Sequence, residues 1–265
     1  MATSLCGAVG VVNLEGPLIA RDPATGAAPL VSGAGSASRP RLFNGARALA
    51  VLANAGVGVA GIANNHAGDF GQAGARETER ALRAAGIRPA GNAAGVARLE
   101  IGGVRIAVSA HDLEEADSAR IAADLASGAL DADFLIATFH ETGPPSYLPS
   151  RALRRAVEIA LANGADAVAA HGRHTLGAVE RRGGAVIAWG LGNMAFACRC
   201  TDERDAIVLR LALEPGAPVE AFVIPIEAGL DGGDARPSDH PDSVFDLLEA
   251  LGSRGVRRGA RWARF

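Results

Sequence analysis

Residues 56–74 read GVGVAGIANNHAGDFGQAG, and the order of residue types in them decides the fold class. The apolar run Val57 to Ala63 has the length and β-branched content of a buried strand, and it stops at the polar triplet Asn64-Asn65-His66. Gly68, Gly71 and Gly74 then let the chain turn, and a helical pattern runs from Ala73 to Ala85 with Leu82 and Ala85 on its apolar side. Strand, polar loop and helix make half a βαβ unit. In open α/β sheets ligands bind beyond the carboxyl ends of strands, so two amides and an imidazole stand where a site is expected. The competing structural reading gives the asparagines turn geometry and His66 a capping role.

Composition narrows the field. The 265 residues suffice for one large domain with a substantial core; 49% are hydrophobic but only 4% aromatic, so that core is built of Ala, Val, Leu and Ile. All 26 basic residues are Arg. A Schiff-base lysine and a P-loop lysine are thereby excluded. The formal net charge is −3, with Arg interspersed among Asp and Glu, so no basic face for nucleic acid is expected. Cys6, Cys198 and Cys200 are an odd set, and Cys198-Arg199-Cys200 is too tight for an ordinary disulfide, which fits a reducing compartment. No charged leader precedes a long apolar segment, and no run approaches the roughly 20 residues that span a bilayer. The expectation is a cytoplasmic protein with no membrane span.

Further strands are expected at Ala8–Leu14, Leu99–Ile101, Val104–Val108, Phe134–Phe139, Ala165–Ala170, Leu176–Glu180, Ala185–Trp189, Ala206–Leu213 and Val219–Ile226. Helices are expected from Pro40 to Gly56 through Leu42, Ala46, Leu49 and Leu52, over 116–127, from a Ser150 cap to Asn163, and over 244–251. Residues 19–39 and 229–241 lack periodic apolar residues and are expected to be long, mobile segments flanking a site mouth, the second as a tail or lid. The Arg-rich end from Arg254 reads as solvated.

Glu15, Asn65 with His66, His140, His171 with His174, and Asn193 each fall at the exit of an expected strand. Should those strands be neighbours, imidazole, carboxylate and amide oxygen converge on one rim, a mixture suited to Mn²⁺, Fe²⁺ or Zn²⁺ rather than to Ca²⁺ or Mg²⁺. Each histidine alone has a plainer reading as a hydrogen-bonded imidazole. His111, ahead of Asp112, Glu114 and Glu115, is a lesser candidate.

The segments Asn13-Leu14-Glu15-Gly16-Pro17-Leu18, Ala63-Asn64-Asn65-His66-Ala67-Gly68-Asp69-Phe70-Gly71, Gly164-Ala165-Asp166 leading to His171 and His174, and Leu191-Gly192-Asn193 together resemble the bacterial capsule-synthesis CapA family. The resemblance runs over about residues 8 to 226. It implies a metallo-dependent phosphatase-like α/β fold, a four-layer sandwich of two mixed β-sheets flanked by helices, occupying 1–228 with 229–265 packed on the same domain. It also implies that Asn65, His140, His171 and His174 are metal-ligand positions, Glu15 a bridging carboxylate and His66 the acid. Asn64, Asp69, Arg173 and Asn193 are then expected to contact substrate. Three departures stand out. The family's upstream Gly-Asp strand has no counterpart, Glu141-Thr142-Gly143 replaces Trp-Gly after the middle histidine, and Gly-His-His-Pro-His has become Ala170-His171-Gly172-Arg173-His174. With the upstream Asp gone, one divalent ion rather than two is expected.

The functions implied are a metal-dependent hydrolase or transferase at a phosphate or amide centre of a small-molecule or peptide substrate, with poly-γ-glutamate capsule biosynthesis as one setting. Alternatives are a peptide epimerase using His66 with Glu15, or His140 with His174, as opposed bases, and a non-catalytic accessory subunit of a polymer-synthesis complex.

Overall fold

The structure, a computed structural model, describes residues 8–21, 26, 41–196, 203–230, 233–255 and 257–265. All three cysteines, Pro40 and most of 19–39 lie outside the described residues. The protein is α/β, with several sheets and five α-helices among the described residues. It divides into two compact units: residues 1–97 with 109–112, and 98–108 with 113–265. The units thus part near Ala97, and 229–265 belongs wholly to the second.

In the first unit, β1 (Gly10–Asn13), β2 (Val57–Gly61) and β3 (Arg88–Ala90) form a parallel sheet in that order, joined through α1 (Ala46–Asn54) and α2 (Gly71–Ala84). Parallel pairing demands crossovers, and the helices supply them. Leu14, Leu18, Val57, Ala60, Ile62, Leu82 and Ile87 make the core. Helix α2 presents Gly74, Thr78 and Leu82 to it at a spacing of four. A Cβ at Gly74 would lie 2.7 Å from that of Phe70, so glycine is required there for close packing. The Thr78 hydroxyl donates to the Gly74 carbonyl at 2.8 Å and accepts from the Leu18 N–H at 2.9 Å.

Two expectations change here. Helix α1 starts at Ala46, later than expected, because the Asn44 N–H donates to the Pro17 carbonyl at 2.7 Å instead of bonding within a helical turn. Ala85 is the exposed C-cap of α2, not part of its apolar side.

The second unit is built on a six-stranded sheet, ordered β4 (Ala97–Ile101), β5 (Val104–Asp112), β6 (Phe134–His140), β7 (Ala167–His171), β9 (Ala185–Ala188) and β8 (Val179–Arg182); the ends of β4 and β5 at Ala97 and Ser109–Asp112 group with the first unit. Strands β6, β7 and β9 run parallel and β8 antiparallel, so this sheet is mixed. Gly102 and Gly103, at φ 57° and 84°, supply the tight turn between β4 and β5. Helix α3 (Ser118–Ala129) is capped by Asp117, and α4 (Arg151–Ala162) by Ser150, whose hydroxyl accepts from the Leu153 N–H at 3.1 Å as expected.

After the pair β10 (Ala195–Phe196) and β13 (Gly229–Leu230), the remaining strands are β11 (Asp205–Ala212), β12 (Glu220–Glu227), β14 (Arg236–Pro237), β15 (Arg257–Arg258) and β16 (Ala263–Arg264), with helix α5 (Pro241–Ala250). Val179, Val186, Val223, Val244, Phe245 and Leu248 are among the buried residues of this unit's core. The segment expected as a tail or lid instead pairs through β13 and β14, and the Arg-rich end pairs through β15 and β16 with Ala263 fully buried. Short paired segments carry no periodicity for a sequence reading to find.

Candidate functional site

In the first unit the polar loop after β2 is tied to the loop after β1 by one side chain. Asn64, 3% exposed, donates from Nδ2 to the Leu14 carbonyl at 2.9 Å and to Asn13 Oδ1 at 3.1 Å, while its Oδ1 accepts from the N–H groups of Gly16 and His66. Both ends of the amide are engaged in holding the fold, so Asn64 positions the loop. Asp69 ties neighbouring segments through one carboxylate oxygen and its backbone carbonyl. Its Oδ2 accepts from His66 Nδ1 at 2.7 Å and from the Leu42 N–H, and its carbonyl accepts from Arg41 Nε at 2.8 Å. The Arg41 guanidinium lies 3.8 Å over the Phe70 ring.

A carboxylate on Nδ1 assigns the neutral imidazole's proton to that nitrogen and leaves Nε2 as the basic atom. That atom faces Glu15, 4.0 Å from Oε1, and Asn13 Nδ2 steadies the other Glu15 oxygen at 3.4 Å. Asp69 and His66 therefore form a hydrogen-bonded pair that orients the imidazole, with the Glu15 carboxylate facing Nε2 from beyond hydrogen-bond range. Next to it, Asn65 Oδ1 is buried without a hydrogen-bond partner, as an amide oxygen awaiting a donor or cation would be.

In the second unit His140 and His171 are the last residues of β6 and β7, directly paired in register. Sequence reading put them just past those strands; in fact the parallel pairing holds them side by side. Their Nδ1 atoms are 3.1 Å apart. Burial pushes the His171 imidazole down to a pKa of about 4, so it is neutral at pH 7, the form a metal requires. At that distance one ring nitrogen donates to the other, and the two imidazoles are donors of the type a divalent ion takes. The pair fits two positions of a divalent-metal site. Within either unit, among the described residues, no three His, Cys, Asp or Glu side chains gather as a ligand cluster. Of the expected ligand set, Glu15 and Asn65 belong to the first unit and His140, His171 and His174 to the second.

His174 sits in the left-handed region at φ 62°, its Nδ1 3.0 Å from Asn193 Oδ1 and its ring stacked 5.0 Å from that of Phe196. The amide oxygen calls for the proton on Nδ1, which directs Nε2 as the acceptor or ligand atom. Asn193 thus supports an imidazole, while its Nδ2 is buried without a partner. A narrow cleft with about 10 Å³ of accessible space, room for one water, is lined by Glu141, His171, Gly172, Arg173, His174 and Trp189 among others. Sequence reading treated Glu141 only as a departure from a pattern; its signal was a carboxylate at the exit of a buried strand. Gly172, at φ 100°, is also needed here, since a Cβ would come within 2.9 Å of His140 Cε1 and Nε2.

The family described as "Bacterial capsule synthesis protein PGA_cap" matches residues 7–197, nearly three quarters of the chain and every residue of the loops above. The chain belongs to this family. No curated protein matches the chain of this capsule synthesis family member. Solved structures similar to it include a protein described as a 5'-nucleotidase from Staphylococcus aureus in complex with alpha-ketoglutarate, at 10% identity over 76% of this chain and 44% of that one, TM-score 0.47. A hypothetical protein from Thermus thermophilus aligns at 16% identity over 77% and 84%, TM-score 0.45. Vps29 from Entamoeba histolytica, complexed with Zn²⁺, aligns at 9% identity over 82% and 90%, TM-score 0.33. The capsule synthesis chain thus spans under half the length of the nucleotidase. No helix among the described residues is long and apolar enough to cross a membrane.

Proposed function

We propose that this capsule synthesis family member is a metal-dependent hydrolase or transferase acting on a phosphate or amide centre, with poly-γ-glutamate capsule assembly as its setting. The observation that carries this reading is the His140–His171 pair, two imidazoles 3.1 Å apart with His171 held neutral. Within the second unit His140 and His171 would hold the ion, with His174, oriented by Asn193, as a further imidazole donor. A bound divalent ion supplies Lewis acidity and lowers the pKa of water. The chain's own residues do the rest. In the second unit Arg173 offers a guanidinium to an anionic substrate; in the first, Asp69 fixes the ring of His66, the acid that the family resemblance implies.

The two-base epimerase reading is less well supported. Opposed bases must leave a carbon between them, and for one of its two base pairs Glu15 Oε1 stands only 4.0 Å from His66 Nε2, which leaves His140 with His174 as the pair for that reading. The test joins elemental analysis of protein purified without chelator to turnover of an aryl phosphodiester with Mn²⁺. Bound metal with turnover that His66→Ala removes is the expected result. Neither metal nor turnover, even with Mn²⁺ or Zn²⁺ supplied, overturns the reading in favour of an accessory subunit.

A further inference from the structure

Five of the last fifteen residues are arginine and none is acidic. The fold sorts these arginines by face. Strands β11, β12, β16 and β15 lie in that order, each pair antiparallel, with Ile207, Val223 and Ala263 buried in the core on the inner face. Arg258 stands opposite Ala263 on that face, where two carboxylates, Asp246 and Glu249, meet it at 2.8 Å each.

Side chains alternate along a strand, so the neighbours of these residues form the outer face. There the register sets Arg210 beside Phe222, Phe222 beside Arg264 and Arg264 beside Arg257, one row across all four strands. The three arginines are exposed and Phe222 is half-buried, with Trp262, 45% exposed, packed edge-on against it at 5.8 Å. Arg264 pairs with Glu220, but Arg210 and Arg257 have no ion-pair partner among the described residues. Like charges directly opposite on antiparallel strands are destabilising, and Arg257 faces Arg264 in that way. Three guanidiniums against one carboxylate, beside an exposed aromatic, call for an anionic partner from outside the chain.

The spacing selects its form. Strands lie about 4.8 Å apart, so Arg210 and Arg257 stand about 14 Å apart at the backbone, while acids at i, i+2 and i+4 of an extended chain span about 13 Å. The formal net charge is −3 with five arginines in this end, so the remainder carries −8. A long polyanion or an anionic bilayer would run past the row onto that acidic remainder, whereas a short segment stays on it. A second copy of this chain would set arginine against arginine. We propose that the outer face of this sheet docks an extended acidic segment of a partner protein, its alternate carboxylates meeting Arg210, Arg264 and Arg257 beside Phe222 and Trp262. The surface lies beyond the metal-dependent reading and does not rest on it.

The test titrates the full chain, with chelator present, with the peptide acetyl-Asp-Thr-Asp-Thr-Asp-amide and follows the two tryptophan indole N–H signals by NMR. Trp189 is buried and serves as the reference for an intact fold. A saturable shift of the Trp262 signal alone is expected, with affinity that falls as salt rises and that weakens about 3-fold or more in Arg210→Gln and in Arg257→Gln. The analogue with Asn for each Asp should not bind, and acetyl-Asp-Asp-Asp-Thr-Thr-amide, of equal charge but other spacing, should bind more weakly. Should either variant unfold, these two control peptides on the wild-type chain carry the test alone. No saturable Trp262 shift would mean that the arginines only guard the sheet edges against pairing, and would overturn the proposal. Equal binding of the three peptides, wild-type affinity in both folded variants, or binding of a thymidine oligonucleotide or phosphatidylserine vesicles without the peptide would each overturn it too.

Discussion

His66 Nδ1 and Asp69 Oδ2 lie 2.7 Å apart, and the same carboxylate oxygen accepts the Leu42 N–H. One side chain thereby fixes both the tautomer of the proposed acid and the path of the chain ahead of α1. Replacing Asp69 with Asn exchanges an acceptor for an amide that can turn its donor toward the imidazole. Turnover of an aryl phosphodiester should fall by about 10²-fold or more in Asp69→Asn and by about 10²–10⁴-fold in His66→Ala. Steady-state kinetics on both variants checks this, and wild-type rates in His66→Ala would remove it as the acid.

Metal content should respond differently to the two ends of the histidine set. His140→Ala removes half of the 3.1 Å pair and should abolish tight binding, whereas His174→Ala should only weaken it. One tightly bound ion per chain is expected, because two remaining donors would hold a second ion below the usual three or four ligands. Elemental analysis decides it; a stoichiometry near two contradicts the single-ion expectation.

Gly172→Ala tests the backbone that serves His140. The substitution puts a Cβ against the His140 ring at a φ of 100°, where strain alone costs on the order of 1–3 kcal/mol. Lower melting temperature together with weaker metal binding is expected. A variant with unchanged melting and unchanged metal affinity would show that the ring is not held against this glycine.

Stability of the metal-free protein should fall in acid on account of His171. Burial lowers its pKa from 6.5 to about 4, so between those values the unfolded chain binds the extra proton and the folded chain does not. Unfolding free energy therefore rises with pH across that window, and this contribution is flat above pH 6.5. Urea titrations of the wild type and of a His171→Gln variant, with chelator, should differ in pH slope within the window and converge on either side of it. Identical pH dependence of the two proteins through it would contradict a buried neutral His171.

The sequence by itself determined the alternation of strand and helix, the capping by Ser150, and the presence of His66, His140 and His171 at strand ends. Those features are written in short-range patterns, apolar runs of strand length and turn residues at their exits, and the matched segment 7–197 carries them all. Tertiary structure alone decided what each polar group does there. Asn64 and Asp69 look like ligand contacts in a motif, and the fold also makes them ties across 50 and 27 residues of chain, to the Leu14 carbonyl and the Leu42 N–H. Gly74 and Gly172 look like turn residues, but only the neighbours packed against them explain why no side chain fits. Glu141 is one carboxylate among many until the fold buries it and stops Arg173 at 3.9 Å. Hydrogen-bond satisfaction is settled between residues distant in sequence, and no local period encodes it.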